Sequence, residues 1–234
     1  MEEILTSGFS ALGIPFAGET LTNCRQYYNA LAERNRVMNL TAITGEEDAA
    51  RLHFLDCAAL LTALDFKNKR VIDVGTGAGF PGLPLKLAEP SIRLTLLDSL
   101  GKRVQFLEET VQSLGLRGVE TVLSRAEEAP AALREQFDVA TARAVTRLAL
   151  LSELCLPFVR VGGVFAAMKG PDPEEEINEA QTAVQTLGGR VKDVRRYTIP
   201  GTDVVHSVVL IEKIAPTPGK YPRRWAKMQK EPIR

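Results

Sequence analysis

From residue 1 to residue 64, apolar side chains recur at helical spacing. In ETLTNCRQYYNALAERNRVM, Leu21, Tyr28 and Leu31 fall on one face, and in EEDAARLHFLDCAALLTAL so do Leu52, Leu55 and Ala59. Between these runs NLTAIT breaks the period with β-branched and capping residues, which predicts a turn or a short extended piece. A polar joint from Asp65 to Lys69 closes this part of the chain.

At Arg70 the pattern changes. Short apolar runs at 70–74, 93–98, 118–123, 137–142 and 163–169 predict strands, and helical stretches are expected at 82–89, 101–115, 126–135, 147–158 and 174–188. Two more β-rich runs, 190–199 and 203–213, follow with only the IPGTD turn between them. Alternation of strand and helix implies an α/β fold, a mostly parallel sheet with right-handed crossovers and helices on both faces. The last two strands imply an antiparallel hairpin that ends the sheet. Gly162–Gly163 and Gly188–Gly189 stand where helices are expected to stop. Beyond Ile214 no periodicity remains. The expected organisation is a helical region over 1–66, a Rossmann-like domain over 67–214 and a tail over 215–234.

Composition narrows the class. The chain has 234 residues, 45% of them hydrophobic and 25% charged, as in an ordinary globular protein with one large α/β domain. No apolar run approaches the roughly 18 residues that span a bilayer, and the acidic start MEEILTSGF does not read as a signal peptide. Cys24, Cys57 and Cys155 form no CxxC, and with His53 and His206 they give no metal-ligand spacing. A cytoplasmic protein with buried thiols and no metal is expected, with a monomer favoured. Formal net charge is zero, yet Lys220, Arg223, Arg224, Lys227, Lys230 and Arg234 face only Glu231 in the last fifteen residues, a net +5. A basic tail on a mildly acidic body suggests a polyanionic partner; a solubilising end accounts for it as well.

The chemistry lies in RVIDVGTGAGFPGLPLKLAEPSIRLTLLD, residues 70–98. Gly75, Gly77 and Gly79 follow the first parallel strand, and small residues there let a ligand approach the backbone at the strand's carboxyl end. GxGxxG can be laid on Gly77, Gly79 and Gly82, but it then starts three residues after Val74. In the natural frame Asp73 precedes the first glycine by two residues. A pyrophosphate over this loop would lie near an unneutralised carboxylate. S-adenosylmethionine has no phosphate, and its ammonium suits an acid held directly or through water. Asp98 ends the second strand, where a carboxylate accepts from ribose hydroxyls of either nucleotide; Ser99 beside it is counted with the same site.

DVGTGAGFPGLPLK (73–86) resembles the glycine loop of the bacterial ribosomal RNA small-subunit methyltransferase G family, also called glucose-inhibited division protein B. NLTAI (39–43), HFLDC (53–57), LLDSLGKR (96–103), SRAEE (124–128), TARAV (141–145), MKG (168–170) and KYPRR (220–224) extend the likeness in order along most of the chain. The tail departs from it: the family usually continues with glycine and proline where this chain runs WAKMQKEP. The resemblance implies a class I S-adenosylmethionine-dependent methyltransferase with a helical N-terminal appendage. The implied substrate is N7 of a guanine in 16S ribosomal RNA, within a small-subunit particle or its precursor. It further implies that Gly75, Phe80, Asp98, Ala126, Glu127 and Arg143 line the donor pocket.

Bottom-up reasoning agrees in part. Phe80 precedes Pro81 where loop turns into helix, although ordinary core packing explains it equally. Glu127 follows strand three near the expected adenine edge, or is an acid at a helix N-terminus. Arg143 closes strand four beside the expected methyl, where it could hydrogen-bond the guanine O6/N7 edge or the donor carboxylate. No Asn/Asp-Pro-Pro-aromatic element for exocyclic amines stands there, and no cysteine lies between Cys57 and Cys155 to act as the nucleophile that ring-carbon methylation needs. Guanine N7 needs neither device. His53 and Asp56 share a helical face and fit either a substrate site or a structural pair, and Asn39 is a similar case. Lys102, Arg103 and Lys169 are candidate phosphate contacts. Two other readings remain, a nicotinamide-dependent oxidoreductase and a non-catalytic ribosome-assembly factor that keeps the fold.

Overall fold

Seven strands form one sheet in the computed structural model, which describes residues 1–233. Arg234, counted above in the basic tail, lies outside the described residues. The strands are β1 (Arg70–Val74), β2 (Arg93–Asp98), β3 (Val119–Leu123), β4 (Phe137–Arg143), β5 (Val159–Lys169), β6 (Gly189–Thr198) and β7 (Val205–Lys213), in the order β3-β2-β1-β4-β5-β7-β6. β1 to β5 pair in parallel, and β7 runs antiparallel to both β5 and β6. The parallel core with its terminal hairpin is the expected α/β architecture.

Period-two alternation divides the sheet between two cores. Val71, Leu94, Leu96, Val139 and Ala166 face one side, where the N-terminal helices Glu2–Ala11 and Gly18–Met38 join the helices Gly82–Ala88 and Gly101–Ser113. Ile72, Val74, Leu97, Ala140 and Phe165 face the other, under the helices Leu148–Cys155 and Glu174–Thr186. Because both faces are covered, the central strands read as nearly unbroken apolar runs. The first 64 residues share a continuous core with the sheet.

Four expectations need correction. The stretch 126–135 forms two short 3-10 turns, Ala126–Glu128 and Ala131–Leu133, because Pro130 holds Ala129 extended and cannot continue a helix. Gly162–Gly163 lies inside β5, which starts at Val159; a Cβ on Gly163 would stand 2.6 Å from the Asp138 carbonyl of the neighbouring strand. The helix over 46–63 is not uniform, since a π-helical turn over Ala50–Leu55 interrupts it. The tail is packed: Thr217, Tyr221 and Met228 are buried, and Trp225–Lys230 is helical. Among the described residues no helix is long and apolar enough to cross a membrane.

Candidate active site

Strand order reverses between β1 and β4, and in such sheets ligands bind outside the carboxyl ends of the strands at this point. The loop after β1 is fixed there from both sides. The Gly75 and Thr76 amides donate to the Leu97 carbonyl of β2 at 2.8 and 3.1 Å. Asp73 lies fully buried beneath the loop, its Oδ2 accepting from Thr76 Oγ1 at 2.5 Å and from the Gly82 amide at 2.8 Å. Its Oδ1 has no partner, and neither has Oγ1 of Thr141, the residue in register with it on β4. Burial pushes the Asp73 carboxyl up to about 6, against the two hydrogen bonds. Asp73 therefore shapes the loop from below and does not face an incoming ammonium. Of the two arrangements expected for the ammonium, on the acid directly or through water, this burial disfavours the direct one.

Asp98 does face the opening. Its Oδ2 accepts from the Gly77 amide at 2.9 Å and its Oδ1 from the Leu100 amide at 2.9 Å, with Arg103 Nη1 3.5 Å away. A carboxylate has about four acceptor positions, so it retains capacity for further donors. A cleft of about 410 Å3 opens here, lined by Gly75, Asp98, Ser99, Ala126 and Glu127 among the residues expected from sequence. Its volume falls within the roughly 300–1,000 Å3 of small-molecule sites. Gly77 stands beside it with no atom within 4 Å of where a Cβ would project, so the loop leaves free space there. Arg103, Arg125, Val145, Leu154 and Trp225 are among the other lining residues. Sequence reading placed Arg103 nearby; Val145 and Leu154 carry no signal beyond ordinary apolar character. Trp225 lies in a segment without periodicity and is brought in only by the docking of the tail.

Phe80 and Arg143 belong to a neighbouring cluster and do not line this cleft. Phe80 is buried, stacked on His53 at 4.3 Å between ring centroids and on Tyr27 at 5.5 Å, so core packing is what the fold gives it. The Tyr27 hydroxyl in turn donates to the Ala78 carbonyl of the glycine loop. Arg143, at the tip of β4, turns toward the N-terminal helices. Its Nη1 reaches Asp56 Oδ2 at 3.1 Å and the Leu52 carbonyl at 3.0 Å, and its guanidinium lies 5.1 Å over the Phe80 ring. The π turn is what gathers the Leu52 carbonyl, His53 and Asp56 on this side.

Arginine can only donate, so His53 Nδ1 accepts from Arg143 Nη2 at 3.1 Å, leaving His53 Nε2 to donate to Thr41 Oγ1 at 2.9 Å. Burial, reinforced by the Arg143 charge, holds His53 down to about 4, in keeping with this neutral tautomer. Asp56 Oδ1 accepts from the Tyr197 hydroxyl at 2.7 Å and from His206 Nδ1 at 2.8 Å. Burial opposes its charge, but His206, Arg143 and Tyr197 together bring its pKa below the usual carboxylate value. Tyr197 and His206 come from β6 and β7; Tyr197 was not singled out in the sequence and His206 only for metal-ligand spacing, because nothing local marks a pairing across 141 and 150 residues. Asn39 adopts a left-handed conformation that ends the Gly18–Met38 helix. Lys169 is held by Glu176 at 2.7 Å and the Thr146 carbonyl at 3.0 Å, which removes it from the candidate phosphate contacts.

The sequence profile described as rRNA small subunit methyltransferase G matches residues 20–203. The chain is 43% identical over 235 residues to the ribosomal RNA small subunit methyltransferase G of Clostridium perfringens strain 13, covering 99% of this chain and 98% of that one. It is 48% identical over 234 residues to the protein of the same name from Alkaliphilus metalliredigens, with the same coverage. Among solved structures, M. jannaschii TYW2, crystallised with AdoMet, superposes with a TM-score of 0.52 at 18% identity, covering 63% of this chain and 70% of that one. At that identity the likeness speaks to the fold, a class I methyltransferase sheet. The chain belongs to the rRNA small subunit methyltransferase G family.

Proposed function

We propose that this chain transfers a methyl group from S-adenosylmethionine to N7 of a guanine in 16S ribosomal RNA. The substrate in this reading is a small-subunit particle or its precursor in the cytoplasm, and the protein acts as a monomer. One observation carries the choice of donor. The Gly77 amide is turned onto Asp98 and the Gly82 amide onto Asp73, at 2.9 and 2.8 Å. Dinucleotide-binding loops need such amides for pyrophosphate. With both engaged by carboxylates, the cleft suits a phosphate-free nucleoside bearing positive charge, which weighs against a nicotinamide-dependent oxidoreductase.

In this assignment Gly75 and Gly77 leave room for the methionine end, Asp98 and Ser99 receive the ribose, and Ala126 and Glu127 border the adenine. Asp73 and Gly79 fix the loop between them. Bound donor supplies an electrophilic methyl on a sulfonium centre. N7 of guanine has an in-plane lone pair and loses no proton on methylation, so the chain needs no general base and no nucleophile. Its three cysteines are all buried. The protein's contribution is then alignment, which can supply a large share of the barrier reduction. Arg143, tied to Asp56 and the π turn, acts as a positioning residue that sets the β4 tip and the following Val145 wall. Labelled donor incubated with small subunits from cells lacking this gene tests the reading. Transfer of label to 16S RNA is expected; donor binding without transfer would favour a non-catalytic assembly factor.

A further inference from the structure

The tail, read from sequence as a basic extension, closes one side of the cleft. Arg223 is locked to Glu153 on the Leu148–Cys155 helix: its amide and Nε reach Oε1 at 2.8 Å each, and Nη2 reaches Oε2 at 2.6 Å. Glu153 is 1% exposed, so this is a buried, bidentate anchor. Arg134 holds the carbonyls of Tyr221 and Thr217 at 2.7 and 2.6 Å, and Met228 is fully buried. Two residues beyond Arg223, Trp225 lines the cleft together with Leu154, the neighbour of Glu153, and with Ala126 and Glu127. Its indole packs against the apolar cluster that also holds Leu154, Tyr221 and Met228 and that Ala126 joins.

We infer that the indole of Trp225 forms the adenine wall of the donor cleft, making the C-terminal tail part of the donor site. The inference rests on the donor reading above. A large, partly buried aromatic face opening into a polar-rimmed cleft suits a flat heteroaromatic ring, and stacking tolerates any orientation of the ring's polar edge. The anchors at Arg223 and Arg134 fix that face before ligand arrives, so little ordering cost falls on binding. Trp225 is the only tryptophan in the chain, which gives the contact its own spectroscopic signal.

Calorimetry on the full chain with S-adenosylmethionine and with 5′-methylthioadenosine, which lacks the amino-acid end, tests this. Trp225→Ala should weaken both ligands by the same factor, on the order of tenfold, while Trp225→Phe should stay within about threefold of wild type. In the wild type, 5′-methylthioadenosine should shift the indole emission with a midpoint matching the calorimetric affinity. Thermal melts establish that the variants are folded, and the wild-type emission needs no variant. Wild-type affinity in folded Trp225→Ala, or equal losses in the Phe and Ala variants, would overturn the stacking role while leaving the donor reading intact. Weaker RNA binding with unchanged donor affinity would assign Trp225 to the RNA and overturn it too. No binding of donor by wild type would instead refute the donor reading itself.

Discussion

Arg143 Nη1 lies 3.1 Å from Asp56 Oδ2, and this buried ion pair joins the tip of β4 to the N-terminal helices beside the glycine loop. Asp56 is 1% exposed and the Arg143 side chain 19% exposed. Removing one partner leaves the other charge buried, which typically costs about 3–5 kcal/mol. Asp56→Ala should lose stability on that scale in urea unfolding. A loss below about 1 kcal/mol would mean that Arg143 finds solvent or another acceptor at little cost.

His206 donates to the same carboxylate, and this hydrogen bond raises its pKa above the ordinary 6.5, outweighing burial. A raised histidine contributes stability that is complete below about 6.5 and lost as pH rises through its folded value. His53, held down to about 4, contributes in the opposite sense: its share is present above about 6.5 and lost as pH falls toward 4. His206→Gln should therefore flatten the alkaline side of the melting profile and keep the His53 limb between about 6.5 and 4, while Asp56, which His206 helps keep ionised, loses part of its own contribution at lower pH. Loss of the His53 limb in that variant would show that the two histidines are not separable.

Asp73 gives a larger pH signature. Its folded value of about 6 exceeds the ordinary 3.8, so its contribution is complete below about 3.8 and falls away as pH rises toward 6. Two units correspond to about 3 kcal/mol. Asn at this position can still accept from Gly82 and stays neutral. The stability of Asp73→Asn relative to wild type should rise by up to about 3 kcal/mol between pH 4 and 7. A difference that does not vary with pH would contradict the buried, under-satisfied carboxylate described here.

Two glycines of one loop should fail in different ways. A Cβ on Gly79, at φ +108°, would stand 2.5 Å from the Tyr27 hydroxyl and 2.7 Å from Leu83 Cδ1. Gly79→Ala should lower stability by at least about 1–3 kcal/mol through strain and overpacking. Gly77, at φ +62°, has open space, so Gly77→Val meets no clash and incurs only the left-handed backbone strain, about 1–3 kcal/mol, while filling the region assigned to the donor's methionine end. Calorimetry on the folded valine variant should detect no donor binding. Wild-type affinity there would move the donor elsewhere.

The tail's cations divide into anchor and surface. Arg223 is bound to Glu153, whereas Lys220, Arg224, Lys227 and Lys230 are exposed. Each phosphate neutralised on single-stranded RNA contributes about −0.7 to the slope of log affinity against log salt. Replacing these four by glutamine should flatten that slope by roughly 2 to 3 units and leave donor affinity unchanged. Truncation is a different experiment, because it also removes Trp225. Coincident slopes for wild type and the glutamine variant would place the RNA footprint near Lys102 and Arg103 or on the N-terminal helices.

The sheet was legible because its strands carry their own signal: Ile72, Val74, Leu94 and Leu96 lie in short apolar runs bounded by polar or glycine-rich segments. The cleft was half legible for the same reason, since Gly75, Asp98, Ala126 and Glu127 sit at strand tips that local pattern locates. The resemblance placed Phe80 and Arg143 at the donor pocket, with core packing equally open for Phe80, and local pattern does not say which way either side chain turns. For Arg143 it is set by Asp56, itself held by Tyr197 and His206, and for Phe80 by the Tyr27 and His53 rings, all brought in by tertiary packing. The π turn over Ala50–Leu55 shifts the helical phase by a residue that apolar spacing alone does not register. Trp225 was invisible for a related reason: a six-residue helix held by a buried Arg223–Glu153 pair has no periodicity to announce it.

The central claim is the atom methylated, and chemical mapping of that atom is its most direct test. Small subunits from cells lacking the gene would be incubated with the protein and labelled donor. Their 16S RNA would then be reduced and treated with aniline, which breaks the chain at N7-methylguanosine. The account predicts one new scission at a single guanine, coincident with the label and dependent on the protein. Label that enters the RNA but resists scission, on an exocyclic amine or a ring carbon, would contradict it.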